Sequence, residues 1–588
     1  MTSSEAGPDL ATETCARRLA PLGGGELAEV ATPVSWYGPA HVPAGAPASE
    51  ASIQALSGIM AVHGRDRGRP RRVGLEVASV AAGLLAAQGA LAGGIARLRG
   101  ATIPVVHTSV VQAALLLLSN YFVVATALGD AVPGSPLPAP GPPFCSADGR
   151  WFEIETLDPE PWAAFWSRLG AGDADLGRAW TMFQWRFERA TCTLPPGLHE
   201  AAGRWGLVEL RRVAAEVGMS LTPLRGYTEV LTERNGVGHP LVRPLDAPGE
   251  PLPAAPLARL GAAPAPLPLA GIRVVEATSR IQGPFAGMLL RMLGADVVRV
   301  QPPGGDYGRS ALCLHRGKET VTLDLGSPAQ RGELVELVAG ADVFLHNWRP
   351  GKAAEWGLEF DDLAARHRRL VYAHASGWSD RPPAGRLLGT DFLVQAYAGV
   401  GNGLNPEDEP PFPTRMVLCD VVGGLVGAEG ILTGLYRREL AGGPWEVRSS
   451  LLAGAMAVQA HVLGAMAAGT EIGRRRGRPV WGLLDHPLPT ADGMLVVSVE
   501  GDDALARLCE VCGVAHEDGP PAAAERALAD CLTSRPAAEW EGLLGDAGLP
   551  AAVAPDDLTA VLVDPRLTGL FEPVGTDGRA PRSPWAFG

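Results

Sequence analysis

The feature that most constrains this chain is a long internal repeat with a spacing of about 341 positions. Its first copy starts near residue 31 and lacks a counterpart of residues 271–370, so the repeat is partial. The offsets between matched motifs are 341, 341 and 344 positions, so only a few residues of drift accumulate. The matched motifs are Ser35-Trp36 and Ser376 with Trp378, Gln54-Ala55 with Gly58 and Gln395-Ala396 with Gly399, and Ala147-Asp148-Gly149 and Ala491-Asp492-Gly493.

The length of the chain, 588 residues, also requires more than one unit, because a single hydrophobic core stops growing at roughly 250–300 residues. A segment dense in proline and alanine falls between the two copies, and such composition is typical of a semi-rigid linker. We therefore predict four segments: a disordered tail at 1–30, a partial and inactive repeat at 31–246, a linker at 247–268, and a complete domain at 269–588 that ends in a small subdomain.

The second copy predicts a mixed α/β fold. Short apolar runs that read as buried strands alternate with helical patterns of about 10–15 residues, an order typical of a parallel, Rossmann-like sheet. The helix after residue 326 has Ser327 at its N-cap and Pro328 at its first position. The predicted strands are IRVVEA (272–277), ADVVRV (295–300), TVTLDL (320–325), VFLHN (343–347) and LVYAHAS (370–376).

Charge and composition exclude several classes of function. The formal net charge of -14 argues against a nucleic-acid partner, which would need a basic face. The eight cysteines are scattered and predict neither a disulfide scaffold nor a metal site. The N-terminus lacks a secretory signal pattern, so we expect a cytoplasmic protein. The apolar stretches 77–95 and 109–128 are interrupted by polar residues and predict buried helices rather than membrane spans.

The second copy resembles the family III CoA-transferases, which include formyl-CoA and carnitine CoA-transferases and the related α-methylacyl-CoA racemases. The resemblance extends, in family order, from about residue 269 to the end, and the first part of the chain resembles a degenerate second half of the same fold. The segments that carry it are VVEATSRIQGPFAGMLLRMLGADVVRVQPPGGD, RGKETVTLDLGSPAQRGELVELVAGADVFLHNWRPG, LVYAHASGW, TDFLVQAYAG, the segment from CDVVGG to LLAGA, and PTADG.

The resemblance implies that Asp420 is the catalytic nucleophile of an acyl-CoA:carboxylate CoA-transferase. A carboxylate with an ordinary pKa near 4 is ionised at neutral pH and attacks a thioester without a general base. The expected intermediates are an acyl-aspartyl anhydride and an aspartyl-CoA thioester. The helix after Asp420 offers backbone N–H groups for the developing oxyanion. A coenzyme A thioester is then a substrate, no cofactor is bound permanently, and the partners are an acyl-CoA donor and a carboxylic acid acceptor.

A structural role for Asp420 is the alternative, because aspartate before an apolar helix is a common N-cap. The first copy places Ser79 at the equivalent position, 341 residues earlier. Serine caps a helix as well as aspartate does but cannot attack a thioester without an adjacent base. The first copy is therefore expected to keep the capping role and lack the nucleophile.

The resemblance also implies a binding site for coenzyme A along the strand ends of the sheet. Lys318, Arg349 and Lys352 are the candidates for contacts with its phosphates. Glu355 and His315 depart from the family pattern, which commonly has arginine and asparagine at these positions. The ten residues assigned to this site are Gln282, Lys318, Leu323, Asp324, Asn347, Trp348, Arg349, Ser376, Gly377 and Trp378.

Three other activities compete with CoA transfer. A racemase of this family needs a histidine in a Gly-His-Asp segment, but this chain reads Gly389-Thr390-Asp391, and threonine is no acid or base near pH 7. An intramolecular CoA shift uses the same anhydride chemistry and stays open. The partial first copy also leaves open a catalytically silent scaffold or regulatory partner. Members of the family form interlocked dimers, so we expect a homodimer or an intramolecular pseudo-dimer with one site per chain.

Overall fold

The description of the fold rests on a computed structural model of the 588-residue chain. It describes residues 9–588 except 24, 44, 102, 129–140, 173–175, 233–238, 246–266, 306–309, 379–382, 384–386, 471–472 and 516–520. The predicted linker therefore lies almost wholly outside the described residues.

The part of the chain before residue 246 is mainly helical. Its helices are α1 (Asp9–Leu19), α2 (Glu50–Leu56), α3 (Ile59–Gly64), α4 (Val77–Leu98), α5 (Val110–Leu117), α6 (Ser119–Leu128), α7 (Pro159–Arg168), α8 (Leu176–Arg189), α9 (Pro196–Ala202), α10 (Leu207–Val217) and α11 (Tyr227–Thr232). Its strands are β1 (Val34–Ser35), β2 (Val106–Ser109), β3 (Phe144–Cys145), β4 (Trp151–Glu155), β5 (Ser220–Pro223) and β6 (Leu241–Pro244).

The part after residue 266 contains most of the strands. They are β7 (Arg273–Ala277), β8 (Asp296–Gln301), β9 (Glu319–Thr322), β10 (Val343–His346), β11 (Val371–Ser376), β12 (Trp445–Ser450), β13 (Arg474–Arg475), β14 (Arg478–Pro479), β15 (Leu488–Pro489), β16 (Met494–Val497), β17 (Ala551–Ala554), β18 (Phe571–Val574), β19 (Gly578–Pro581) and β20 (Ala586–Phe587). Its helices are α12 (Gln282–Met292), α13 (Ser310–Leu314), α14 (Pro328–Ala339), α15 (Lys352–Trp356), α16 (Phe360–Ala364), α17 (Asp391–Tyr397), α18 (Val400–Gly403), α19 (Leu418–Ala441), α20 (Leu451–Val458), α21 (Ala460–Ala468), α22 (Asp502–Cys512), α23 (Pro521–Leu532), α24 (Ala537–Asp546) and α25 (Leu558–Val563).

The largest sheet in the described part of the chain confirms the predicted α/β class. Its strand order is β6-β12-β11-β10-β7-β8-β9, and every pair is parallel except β12 with β6. Val343 lies between Val371 and Val274 at its centre, where apolar side chains face helices on both sides. The five strands predicted from sequence all form, with ends shifted by up to three residues.

Two long helices, α4 and α19, form the centre of the fold, and they start 341 positions apart, at Val77 and Leu418. Both are long and apolar enough to cross a membrane, but 100% and 94% of their most apolar windows are buried inside this fold. They pack against each other and against α1, α12 and α20. Stretch 109–128 forms the two buried helices α5 and α6, which break at Leu118.

The two parts of the chain share one hydrophobic core and exchange strands, so they are not separate domains. Strand β6 joins the sheet of the second part, while β20 from the C-terminus pairs with β2 of the first. The small sheets β3-β4-β5 and β15-β16-β17 each carry their own apolar cluster, one in each part.

The prediction of a disordered tail at residues 1–30 is wrong for its described residues. Residues 9–19 form α1, which packs against α4. Ala11, Thr14, Cys15 and Arg18 form its buried face. Arg18 makes a buried ion pair with Glu429 of α19 at 2.8 Å, and this pair requires the helix to dock.

Candidate active site

Asp420 lies at the third position of α19, and it is not the helix cap. The N-cap residue is Val417, whose side chain makes no capping hydrogen bond. Instead, Asp391, at the start of α17, accepts the Asp420 amide N–H through Oδ2 at 2.8 Å and also binds the Cys419 amide. Because Asp391 satisfies these amides, the Asp420 carboxylate has no capping role, and the capping alternative is wrong.

The same bond corrects a second expectation. The N–H groups at the start of the helix after Asp420 were expected to bind an oxyanion, but the helix already begins at Leu418, and the amides of Cys419 and Asp420 are occupied by Asp391. The next amide, that of Val421, donates within the helix to the Val417 carbonyl at 3.1 Å. The first turn of α19 therefore offers its dipole but not these N–H groups.

Asp391 and Asp420 form a coupled pair of acids. Burial raises the pKa of Asp420 to about 7, while the Arg280 guanidinium lowers it and the Glu155 carboxylate raises it further. Burial, followed by the charge of Asp420, raises the pKa of the fully buried Asp391 well above its ordinary value. Asp420 itself is only half-buried. Two adjacent carboxylates cannot both ionise without cost, so Asp420 is not the fully ionised aspartate expected from sequence.

The first part of the chain has the same arrangement with different chemistry. Glu50, 341 positions before Asp391, accepts the amides of Ala78 and Ser79 at 2.9 Å each. The Ser79 hydroxyl donates to the same carboxylate at 2.6 Å. Ser79 is therefore bound to a capping glutamate and does not cap α4 itself, which corrects the role expected for it.

Glu155, from the first part of the chain, lies within electrostatic reach of Asp420 in the second. It ends β4, is fully buried, and its charge acts on Asp420. Arg186 of α8 holds it with a 2.8 Å ion pair and binds the neighbouring Glu153 at 2.7 Å. The Arg186 guanidinium also lies 4.4 Å from the ring of Phe392, which follows Asp391. A buried arginine of one part thus holds a carboxylate near Asp420 of the other.

Arg280 is an exposed cation whose charge lowers the pKa of Asp420. It lies on the loop between β7 and α12 in the left-handed region, with φ of 65°, a conformation that costs energy for a residue with a side chain. The preceding peptide is held by Asn347, whose side chain accepts the Ser279 N–H at 3.0 Å and donates to the Ser279 carbonyl at 2.8 Å. Asn347 was predicted to bind coenzyme A, and its side chain here holds the loop that presents Arg280.

Gln282 brings a side-chain amide to the beginning of α19. Its Nε2 lies 3.2 Å from the position a Cβ would take on Gly423, which is three residues after Asp420 and on the same helix face. The side chain is buried, and Nε2 has no hydrogen-bond partner among the described residues. A buried amide without a partner is costly, so this N–H group is available to a bound substrate.

The other predicted residues of the coenzyme A site lie at the ends of β9, β10 and β11, where parallel strands of such sheets bind ligands. Leu323 is buried, whereas Asp324 is exposed and accepts the Gly326 amide at 2.9 Å. Arg349 is exposed, and Trp348 packs on Trp356 with ring centroids 5.0 Å apart. The assignment of these residues to coenzyme A stays a prediction.

The segment Ser376-Gly377-Trp378 connects the sheet to the acid pair. A Cβ on Gly377 would lie 2.3 Å from the Cα of Gly389, so the two backbones touch and no other residue fits there. The hydroxyl of Ser376 binds the Ser449 carbonyl at 3.2 Å, and the Trp378 indole donates to the Leu387 carbonyl at 3.0 Å. The close contact fixes the approach to α17, where Asp391 lies.

The assignment of Lys318 to a phosphate is wrong in this structure. Its ammonium group is fully buried, pairs with Glu276 at 2.7 Å and donates to the Pro284 carbonyl at 2.9 Å. Lys352 is half-exposed and pairs with Glu355 at 2.8 Å. Over the described ranges, no three histidine, cysteine or acidic side chains come together in a way that would hold a metal ion.

The chain is similar in sequence to known CoA-transferases. The model of CoA-transferase family III matches residues 30–267 and again 269–569. An acetyl-CoA:oxalate CoA-transferase from Acetobacter aceti is 30% identical over 316 residues, 48% of this chain and 79% of that protein. A succinate–glutarate CoA-transferase from Agrobacterium fabrum is 30% identical over 274 residues, 42% of this chain and 67% of that protein. The crystal structure of Rv3272 from Mycobacterium tuberculosis is 29% identical, with a TM-score of 0.45, and covers 54% of this chain and 92% of that one.

Proposed function

The chain belongs to CoA-transferase family III, and on that premise we propose that it moves coenzyme A from an acyl-CoA donor to a carboxylic acid through covalent intermediates on Asp420. One observation carries the proposal. Asp391 takes over the capping of α19, and this leaves the half-buried Asp420 carboxylate within electrostatic reach of Arg280, on the helix face that the unpartnered amide of Gln282 approaches at Gly423.

The reaction proceeds by four acyl transfers. An Asp420 oxygen attacks the thioester carbonyl, the C–S bond breaks, and coenzyme A leaves as a thiolate beside an acyl-aspartyl anhydride. The thiolate attacks the aspartyl carbonyl and expels the donor acid, which leaves an aspartyl-CoA thioester. The acceptor carboxylate attacks this thioester and releases the thiolate again. The thiolate then attacks the acceptor's carbonyl in the second anhydride and restores the Asp420 carboxylate.

The surrounding side chains supply the electrostatics for these steps. Arg280 stabilises the ionised form of Asp420 and the anionic carboxylate that approaches it. The Gln282 amide donates to the oxyanion that forms on the attacked carbonyl. Thr390 stands where a racemase of the family needs a histidine, and its hydroxyl offers no proton transfer near pH 7.

An assay without ATP tests the proposal. Succinyl-CoA or acetyl-CoA is incubated with a panel of carboxylic acids, and the acyl-CoA products are separated by chromatography. The expected result is a new acyl-CoA for at least one acceptor, formed in step with loss of the donor. Release of free coenzyme A alone, or epimerisation of a 2-methylacyl-CoA without transfer, would refute it.

We further propose that each chain carries one active site, because the first part offers Ser79, bound to Glu50, where the second offers Asp420. The first part then replaces the second subunit of a dimer and contributes Glu155. Titration with a radiolabelled acyl-CoA under single-turnover conditions is expected to give one acyl group per chain. Two acyl groups per chain would contradict this arrangement.

Replacing Gln282 by leucine is expected to lower kcat by about 10²-fold, the usual cost of one oxyanion donor. The KM for acyl-CoA should change much less, because the lost bond forms mainly in the transition state. Gln112→Leu is the control, since Gln112 of α5 in the first part of the chain donates to the carbonyl of Ser583, near the C-terminus. An equal loss of kcat in both variants, or an unchanged kcat for Gln282→Leu, would contradict the role of Gln282 as an oxyanion donor.

The rate of acyl-enzyme formation is expected to rise with pH and to level off above about 7, where Asp420 loses its proton. The rate rises with pH because only the ionised carboxylate attacks the thioester, and the fold raises the pKa of Asp420. Glu155→Gln removes the carboxylate that raises the pKa of Asp420, so the midpoint should move toward lower pH. Stopped-flow measurements of acylation give both profiles. A flat profile down to pH 5 would contradict the assignment.

A further inference from the structure

A polar cavity of about 140 Å³ lies apart from Asp420, over the β10-β11-β12-β6 end of the large sheet. It is bounded by the sheet, by the turn at Arg349 and by the start of α16. Its floor includes His346 and His374, whose rings stack in parallel with centroids 4.6 Å apart. Apart from Arg349, none of its lining residues belongs to the predicted coenzyme A site.

The hydrogen bonds at the floor of this cavity determine the protonation of His346. The Tyr372 hydroxyl has one proton, and it donates that proton to the Leu358 carbonyl at 3.1 Å. His346 Nε2, 2.7 Å from the same hydroxyl oxygen, must therefore be the donor of their bond. Burial and the neighbouring His374 lower the pKa of His346, so the ring is neutral and Nδ1 carries a lone pair.

This lone pair is the unusual feature of the cavity. His346 is only 2% exposed, and its Nδ1 has no hydrogen-bond partner among the described residues. A buried acceptor without a donor is costly, and a bound molecule with an O–H group would remove that cost. A ligand that contacts this atom must therefore donate a proton to it.

The charges around the cavity favour an anion on the sheet side. Glu446 accepts the Nε–H groups of Arg243 at 2.5 Å and of Arg448 at 2.7 Å, so one carboxylate is shared by two guanidinium groups. Arg349 adds a third positive charge at the rim. Glu359 and Asp361 also line the cavity; both are exposed, as Arg349 is, so solvent screens these three charges alike.

We propose that this cavity binds a small oxyanion that carries an O–H group, either hydrogen phosphate or a small hydroxycarboxylic acid. The oxyanion lies toward the arginine residues, and its hydroxyl donates to His346 Nδ1. The volume fits a molecule of this size but not a nucleotide. Sulfate has the shape and charge of hydrogen phosphate but no proton to donate, so it meets the buried lone pair with an oxygen and binds poorly.

Calorimetric titration of the full chain at pH 8 tests the proposal, because phosphate then carries one proton and the same charge as sulfate. Phosphate is expected to bind at least tenfold more tightly than sulfate. Lactate and propionate form the second pair, and preference for lactate identifies a hydroxy acid as the ligand. The proposal is overturned if phosphate binds no better than sulfate and lactate binds no better than propionate.

Two variants separate this cavity from the active site. Arg243→Gln lies on an edge strand, where it is half-exposed, and is expected to weaken binding of the preferred anion at least fivefold. His346→Phe is expected to abolish the discrimination between the members of each pair. Asp420→Ala and the exposed control Arg366→Gln should bind as the unmodified chain does. Loss of binding in Asp420→Ala, or full binding in Arg243→Gln, would overturn the assignment.

Discussion

Replacing Asp420 by asparagine or alanine is expected to lower CoA transfer by at least about 10⁴-fold, because every proposed intermediate is a covalent derivative of its carboxylate. No other described side chain of the site is placed to substitute, since Asp391 is buried against the helix amides. The measurement is the initial rate of acyl-CoA exchange with a saturating acceptor. A residual rate within tenfold of the unmodified chain would contradict the mechanism.

The stability of the same variant separates a catalytic role from a structural one. Asp391 and Asp420 raise the cost of ionising each other, so Asp420→Asn should unfold at the same temperature or a higher one near pH 8. Both carboxyl groups have a raised pKa in the folded chain. Their contribution to the free energy of unfolding therefore falls as the pH rises through the folded-state pKa. Ser79→Ala, at the equivalent position of the first part, is the control and should keep full activity.

Replacing Arg186 by methionine is expected to have the largest effect on stability, about 3–5 kcal/mol. The change leaves Glu153 and Glu155 buried without their cation, since both carboxylates and the guanidinium are 0% exposed. It should also lower kcat, because Glu155 faces Asp420 and loses the bond that positions it. Urea unfolding gives the free energy, and transfer assays at low temperature give kcat.

The control for Arg186→Met is the same substitution in an exposed ion pair. Arg212 binds Glu216 at 2.6 Å with side chains 61% and 42% exposed, so Arg212→Met should change stability by less than about 1 kcal/mol. Equal losses in the two variants would mean that the buried network has no special role. A stable Arg186→Met chain with full activity would contradict the contribution of the first part to the active site.

The sheet could be predicted from sequence because its signal is local. Strands buried on both faces read as short apolar runs, and each of the five predicted runs forms a strand. The spacing of 341 positions reappears in the starts of α4 and α19, and in Glu50 and Asp391. That spacing could also have identified Asp391, because an acidic residue stands 29 positions before both Ser79 and Asp420.

The residues around Asp420 could not be predicted because they come from distant parts of the chain. Glu155 lies 265 positions before Asp420, and nothing in its sequence neighbourhood distinguishes it from a solvated glutamate. Its role depends on Arg186 and on the docking of one part against the other. Arg280 was missed because a left-handed conformation at a residue other than glycine has no sequence signature.

The wrong predictions have a similar cause. Helix α1 buries Ala11, Thr14, Cys15 and Arg18, a helical spacing that is hidden because two of these side chains are polar. Lys318 was assigned to a phosphate because the family resemblance placed it in the coenzyme A site. Its partner, Glu276, lies 42 positions earlier, and the ion pair forms only when β7 and β9 join the same sheet.

Mapping the acyl-enzyme tests the central claim most directly. The chain is incubated with a labelled acyl-CoA without acceptor, treated with hydroxylamine, digested with trypsin and analysed by fragmentation mass spectrometry. The tryptic peptide 416–437 contains Asp420 and also Glu429, so fragment ions must distinguish them. The account predicts a hydroxamate on Asp420, at one per chain. Modification of Glu429, Glu155, Asp391 or a cysteine instead, with Asp420 unmodified, would contradict it.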